Sequence, residues 1–139
     1  MLHAYIDGFG VELMANSDNV LRGGLTSKHV DVDELMGVLD FSPHKPEILK
    51  PQFTGSTAYG RYITPCREFS LVTMSSKGEK QTFPQKGPAI IIVTEGSVTI
   101  KAGEREELVI QKGESAFISA EATGITFTGA YTLYAAALP

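Results

Sequence analysis

The sequence predicts a mainly β protein, a sandwich or small barrel, with one short helix in its N-terminal segment. Three observations carry that expectation. From about residue 68 onward, short β-rich runs alternate with glycine-bearing turns. Ahead of them, a single stretch has helical periodicity. Between the two, Pro43, Pro46 and Pro51 crowd one segment and forbid a regular element there. At 139 residues the chain has room for one domain, or one domain and an appendage.

In chain order, residues 2–26 read as extended pieces broken by glycine. Strands are expected over 2–6, over 11–15 and at 20–21. The turn Asp7-Gly8-Phe9-Gly10 separates the first two, and the polar block Asn16-Ser17-Asp18-Asn19 follows the second. The helix is expected over 31–39. Val32, Leu35, Met36 and Leu39 fall at i, i+3, i+4 and i+7, Asp31 is placed to cap it, and Glu34 strengthens the start. Residues 40–53 are the proline-rich segment. Strands are then expected over 69–74, 88–94, 97–101, 107–110, 115–118, 125–127 and 131–135. Their separators are Glu95-Gly96, Ala102-Gly103, Lys112-Gly113 and Gly129, each offering a residue that tolerates positive φ.

Composition excludes several function classes. Twelve basic against sixteen acidic residues give a net charge of −4, which does not suit a protein that tracks nucleic-acid phosphates. No apolar run approaches the roughly 20 residues of a membrane span, and the first residues lack the basic flank and apolar stretch of a secretory signal. The single cysteine, Cys66, rules out an internal disulfide and suits a reducing compartment. A cytoplasmic domain with no nucleic-acid or membrane partner is expected.

Candidate chemistry is sparse. None of His3, His29 and His44 shares a metal-ligand spacing with another. By spacing alone His3 is a surface or hydrogen-bonded histidine, on the same face of its strand as Tyr5, and His29 and His44 face solvent. Cys66 reads as a half-buried, inert thiol. Glu104, Glu106 and Glu107 beside Arg105 read as a solvated hairpin end. The densest polar set is Glu12, Asn16, Ser17, Asp18, Asn19, Arg22 and Lys28, interleaved with Val11, Leu13, Met14, Val20, Leu21 and Leu25. Half-buried charges need partners, so ion pairs among Glu12, Asp18, Arg22 and Lys28 are expected.

Residues 3–28, HAYIDGFGVELMANSDNVLRGGLTSK, closely resemble a signature segment of type I mannose-6-phosphate isomerases. That pattern runs H-A-Y, G, E-x-M-A-x-S-D-N, R-x-G-x-T and a final K. The D-V-x-E-L helix, G-P-A-I-I-I-V-T-E-G and K-G-E-S-A-F-I-S-A are similar to the family's C-terminal end, so the resemblance spans most of the chain and is loosest between Ser42 and Phe83. It departs at Ser27, where the family usually has proline. The ending G-E-S-A-F-I-S-A-E-A-T-G lacks the histidine of a metal-binding cupin motif, as in the family's non-catalytic last domain.

The resemblance implies a cupin-like jelly-roll β-sandwich and a zinc-dependent interconversion of mannose 6-phosphate and fructose 6-phosphate. It marks His3 as a zinc ligand, and Arg22, Glu12 and Asp18 as catalytic. Tyr5 and Lys28 become substrate-binding residues of the same pocket. An aldose–ketose isomerisation moves a proton between C1 and C2 through an enediolate. A zinc ion can polarise the carbonyl, a base takes and returns the proton, and a guanidinium holds an oxyanion or phosphate bidentately. Zinc takes three or four protein ligands, and the family supplies the others from a glutamine, a histidine and a glutamate upstream of this segment.

The expectation is therefore a C-terminal portion of such an enzyme, incomplete and inactive alone. Residues 1–41 would belong to the central catalytic sandwich, 42–53 to a linker and 54–139 to a C-terminal cupin-like domain. It would pair with the N-terminal portion or form a homo-oligomer. The alternative is a non-catalytic cupin-like module that binds a sugar phosphate or a partner chain.

Overall fold

A computed structural model describes residues 5–16, 20–43, 45–54, 58–84 and 86–139. The chain divides into two compact units, Met1–Glu47 and Ile48–Pro139.

The first unit holds the helix α1, Val32–Val38. Asp31 caps it as its sequence position requires: the carboxylate Oδ1 accepts from the Glu34 N–H at 3.0 Å, and the Leu35 N–H closes the first turn on the Asp31 carbonyl. Of the expected apolar face, only Leu35 is buried; Val32 and Met36 are exposed. The expected strands at 11–15 and 20–21 do not form, nor does any strand among the described residues of 2–6. A β-strand is held by ladder hydrogen bonds to a neighbour, and no described segment of this unit offers one. The apolar side chains of the region are correspondingly uncovered, with Ile6 96% and Phe9 88% exposed.

Among the described residues, the second unit is an antiparallel β-sandwich of nine strands. They are β1 Gln52–Phe53, β2 Tyr59–Arg61, β3 Ser70–Lys77, β4 Gln81–Thr82, β5 Ala89–Ala102, β6 Leu108–Gln111, β7 Ser115–Ile118, β8 Ile125–Thr128 and β9 Ala130–Ala137. The main path runs β1-β2-β3-β9-β5-β8-β4, with β6 and β7 also pairing with β5.

β5 joins the two layers. Its first half pairs with β9 and β7, and its second half with β6 and β8. The sequence suggests two strands here with a turn at Glu95-Gly96. The chain instead continues as one long strand, bent by a register shift between Val93 and Glu95. Gly96 sits in that bend at φ +68°, and a Cβ there would run into the Ala130 carbonyl oxygen. Only glycine permits the two strands to approach so closely.

Alternation builds the core. On β9, Tyr131, Leu133, Ala135 and Ala137 face inward. They meet Val72 and Met74 of β3, Ile91 and Val93 of β5, and Ile110, Ile118, Ile125 and Phe127 of the remaining strands. Each fully buried large side chain, such as Phe127 or Leu133, contributes about 1.5–3 kcal/mol of transfer free energy. Buried hydroxyls are mostly satisfied: Thr73 Oγ1 donates to the Leu133 carbonyl at 3.0 Å, and Ser70 Oγ lies 3.3 Å from that of Leu138. The charged hairpin end is solvated as expected, with Lys101 Nζ 3.6 Å from Glu107.

Candidate functional site

The six residues marked by the signature segment divide between described and undescribed positions. His3 and Asp18 lie outside the described residues, as does His44. Tyr5 is 72% exposed, and its ring lies against the bare face of Gly10, where a Cβ would stand 3.4 Å from it. The chain bends at Asp7-Gly8 between the two. Glu12 and Lys28 are exposed and Arg22 is half-buried. The Lys28 N–H donates to Thr26 Oγ1 at 3.1 Å, closing a bend over residues 24–28.

Within that bend Leu25 has φ +52° and points wholly into solvent. A branched residue adopts this left-handed geometry at a cost of about 1–2 kcal/mol, a strain that clusters at ligand-handling segments.

Of the expected ion pairs, those of Asp18 lie outside the described residues, and those among Glu12, Arg22 and Lys28 are corrected by this geometry. Glu12, Arg22 and Lys28 make none with one another among the described residues. Solvent reaches all three, so their charges need no internal partner. Among the described residues, no three His, Cys, Asp or Glu side chains gather where they could hold a metal ion. The described part of the chain therefore does not by itself fit a zinc ion. His29 is exposed as expected. Cys66 is half-buried, and its Sγ donates to Glu68 Oε2 at 3.1 Å. That bond and the Arg67 N–H hold the Glu68 carboxyl below its usual range.

A second constellation was not marked by sequence reasoning. At the end of the sandwich where β3 and β9 pair Ser76 with Tyr131, a pocket of about 630 Å³ opens. Gly96 of β5 is the other partner of Tyr131 and also lines the pocket. The β3–β4 turn brings Glu79 and Gln81 to its wall, and the β5 bend brings Glu95, whose Oε2 accepts from Thr132 Oγ1 at 3.0 Å. Glu79 is held low by its own N–H, the Lys77 N–H and the Ser76 hydroxyl. Burial, with the Glu79 charge adding to it, pushes the Tyr131 phenol up to about 12. Among the described residues, the Tyr131 hydroxyl has no hydrogen-bond partner. The only sequence signal for this pocket is a tyrosine heading the inward row of β9, across from the S-S-K-G-E turn.

Comparison with known proteins bears on both regions. The family profile "Mannose-6-phosphate isomerase, cupin domain" matches residues 59–137, more than half of the chain. The chain belongs to the mannose-6-phosphate isomerase cupin-domain family. Its β-sandwich is accordingly a cupin jelly roll, as the resemblance implied.

Similarity to members of the family also takes in the N-terminal segment. The chain is 35% identical over 127 residues to mannose-6-phosphate isomerase of Escherichia coli (strain K12), a match covering 91% of this chain and 32% of that protein. It is 40% identical over 121 residues to mannose-6-phosphate isomerase 2 of Arabidopsis thaliana, covering 86% and 27%. A crystal structure of the Salmonella typhimurium mannose 6-phosphate isomerase, bound to its substrate fructose 6-phosphate and to zinc, superimposes with a TM-score of 0.77. Its identity is 34%, over 90% of this chain and 32% of that one. The chain thus spans about a third of the length of these relatives, and it matches their C-terminal part. Among the described residues, no helix is long and apolar enough to cross a membrane.

Proposed function

We propose that this chain supplies the C-terminal portion of a zinc-dependent isomerase that interconverts mannose 6-phosphate and fructose 6-phosphate. The observation that carries the reading is the 34% identity, at a TM-score of 0.77, to a family member crystallised with fructose 6-phosphate and zinc. In this reading residues 1–41 belong to the catalytic sandwich, 42–53 link, and 54–139 form the C-terminal cupin domain. The partner is the polypeptide region corresponding to the other two-thirds of the relatives, and the compartment is the cytoplasm, which the lone Cys66 suits.

Each site residue takes the role its chemistry allows. Arg22 stabilises negative charge on the substrate oxygens, its fork of donors matching an enediolate or phosphate. Glu12 and Asp18 are the carboxylates available to take a proton from one sugar carbon and return it to the other. Tyr5 and Lys28 bind the substrate's hydroxyls and phosphate. His3 contributes one ligand to zinc, the remaining ligands coming from the catalytic partner region. The exposure of Tyr5, Glu12 and Lys28 supports this reading, because groups that meet a substrate must be reachable from solvent.

The test is a chimera in which this chain replaces the matching third of the E. coli enzyme. The expected outcome is zinc-dependent isomerase activity. A folded, zinc-loaded chimera without turnover would contradict the reading.

A further inference from the structure

The pocket at the open end of the jelly roll carries an inference that needs none of the N-terminal residues. A hydroxyl sealed from water without a partner forfeits about 1–3 kcal/mol, and native folds rarely leave one so. Tyr131 is 4% exposed, and its ring is fixed edge-on against Phe127, centroids 6.3 Å apart. Phe127 in turn packs on Phe83 at 5.2 Å. The phenol is thus held from behind by a rigid aromatic floor. Tyr131 lines the pocket together with Glu79, whose charge is felt at the phenol. Glu79 is exposed, so its side chain can turn toward an entering ligand group.

The wall decides the ligand's chemistry. Glu79 and Glu95 face one cation, Lys77, so an anionic ligand is disfavoured. Glu79 already accepts from the Ser76 hydroxyl and the Lys77 N–H, and Glu95 from Thr132, which leaves each carboxylate with lone pairs suited to hydroxyl donors. A volume of about 630 Å³ falls within the range of small-molecule sites, roughly 300–1,000 Å³. We propose that this pocket binds a small neutral polyhydroxylated ligand of hexose size, with Tyr131 as the buried hydrogen-bonding anchor and Glu79 and Glu95 as acceptors for its hydroxyls.

The experiment is an amide-shift titration of the ¹⁵N-labelled 139-residue chain with methyl α-D-mannopyranoside, with mannose 6-phosphate and ethanolamine in parallel arms. Saturating shifts confined to residues 75–81, 95–96 and 130–132 are expected with the neutral glycoside alone. Tyr131→Phe should weaken its binding about three- to tenfold, one neutral hydrogen bond. The variant should melt no lower than wild type, since it deletes an unpartnered polar atom. Equal affinity in Tyr131→Phe would overturn the proposal. So would no saturation up to the solubility of the glycoside, or saturation by the phosphate or ammonium probe instead. None of these results depends on isomerase activity.

Discussion

The two units of this chain put their apolar residues to opposite use. In Ile48–Pro139, alternation along β3, β5, β8 and β9 drives Val72, Met74, Ile91, Phe127 and Leu133 out of water almost completely. In the unit Met1–Glu47, Ile6, Phe9, Val11 and Met14 stay exposed, and among its described residues Leu35 is the only large side chain that is buried. The lesson is a division of labour. The packed core lies in the second unit, while the signature residues proposed for chemistry lie in the first.

Matched truncations give the sharpest test of that contrast. Leu133→Ala should destabilise the sandwich by about 2–5 kcal/mol, whereas Phe9→Ala should stay within about 0.5 kcal/mol. Urea denaturation followed by far-UV circular dichroism measures both, and equal losses would erase the distinction. Gly96→Ala probes the bend that lets β5 serve two layers. A Cβ at φ +68° facing the Ala130 carbonyl should cost about 1–3 kcal/mol in the same assay.

A smaller effect is expected from pH. Because the Tyr131 phenol is raised in the folded chain to about 12 from 10.0, its contribution is complete below pH 10 and is lost as pH rises toward 12. Between those values the unfolded chain releases a proton that the folded chain keeps. Tyr59 and Tyr62 are raised as well, by burial first, so Tyr131→Phe should flatten the alkaline decline in melting temperature without abolishing it. An unchanged slope would show that the Tyr131 ring is not held as described.

How far the sequence reveals this structure follows the same division. The inward rows of β3, β5, β6, β7, β8 and β9 are written as β-rich runs between glycine turns, and the cap at Asp31 is written in its spacing to Glu34. β1, β2 and β4 are two or three residues long, too short to carry an alternating pattern, and β4 also owes its existence to a partner far along the chain, β8. The Glu95-Gly96 pair reads as a turn because positive φ serves a turn and a bulge equally; only the pairing of Glu95 and Gly96 with β9 decides between them. Strands expected at 11–15 and 20–21 have the right residues but no described neighbour to bond. Arg22, Glu12 and Lys28 are named as candidate site residues by family resemblance alone, and their exposed or half-buried geometry adds no mark of its own. Tyr131 was invisible because an unpartnered hydroxyl can be seen only once its surroundings are folded.

In the proposed function the first unit carries chemistry and little of the stability. Arg22→Ala, made in the chimera with the E. coli enzyme, tests it most directly when turnover, bound zinc and melting temperature are measured on one preparation. Among the described residues Arg22 makes no ion pair with Glu12, so its loss should leave the melting temperature and zinc content near wild type. Turnover should fall by roughly 10²–10³, the usual effect of removing one donor to a developing oxyanion. A lowered melting temperature with normal turnover per folded molecule would contradict the account and make Arg22 a structural residue.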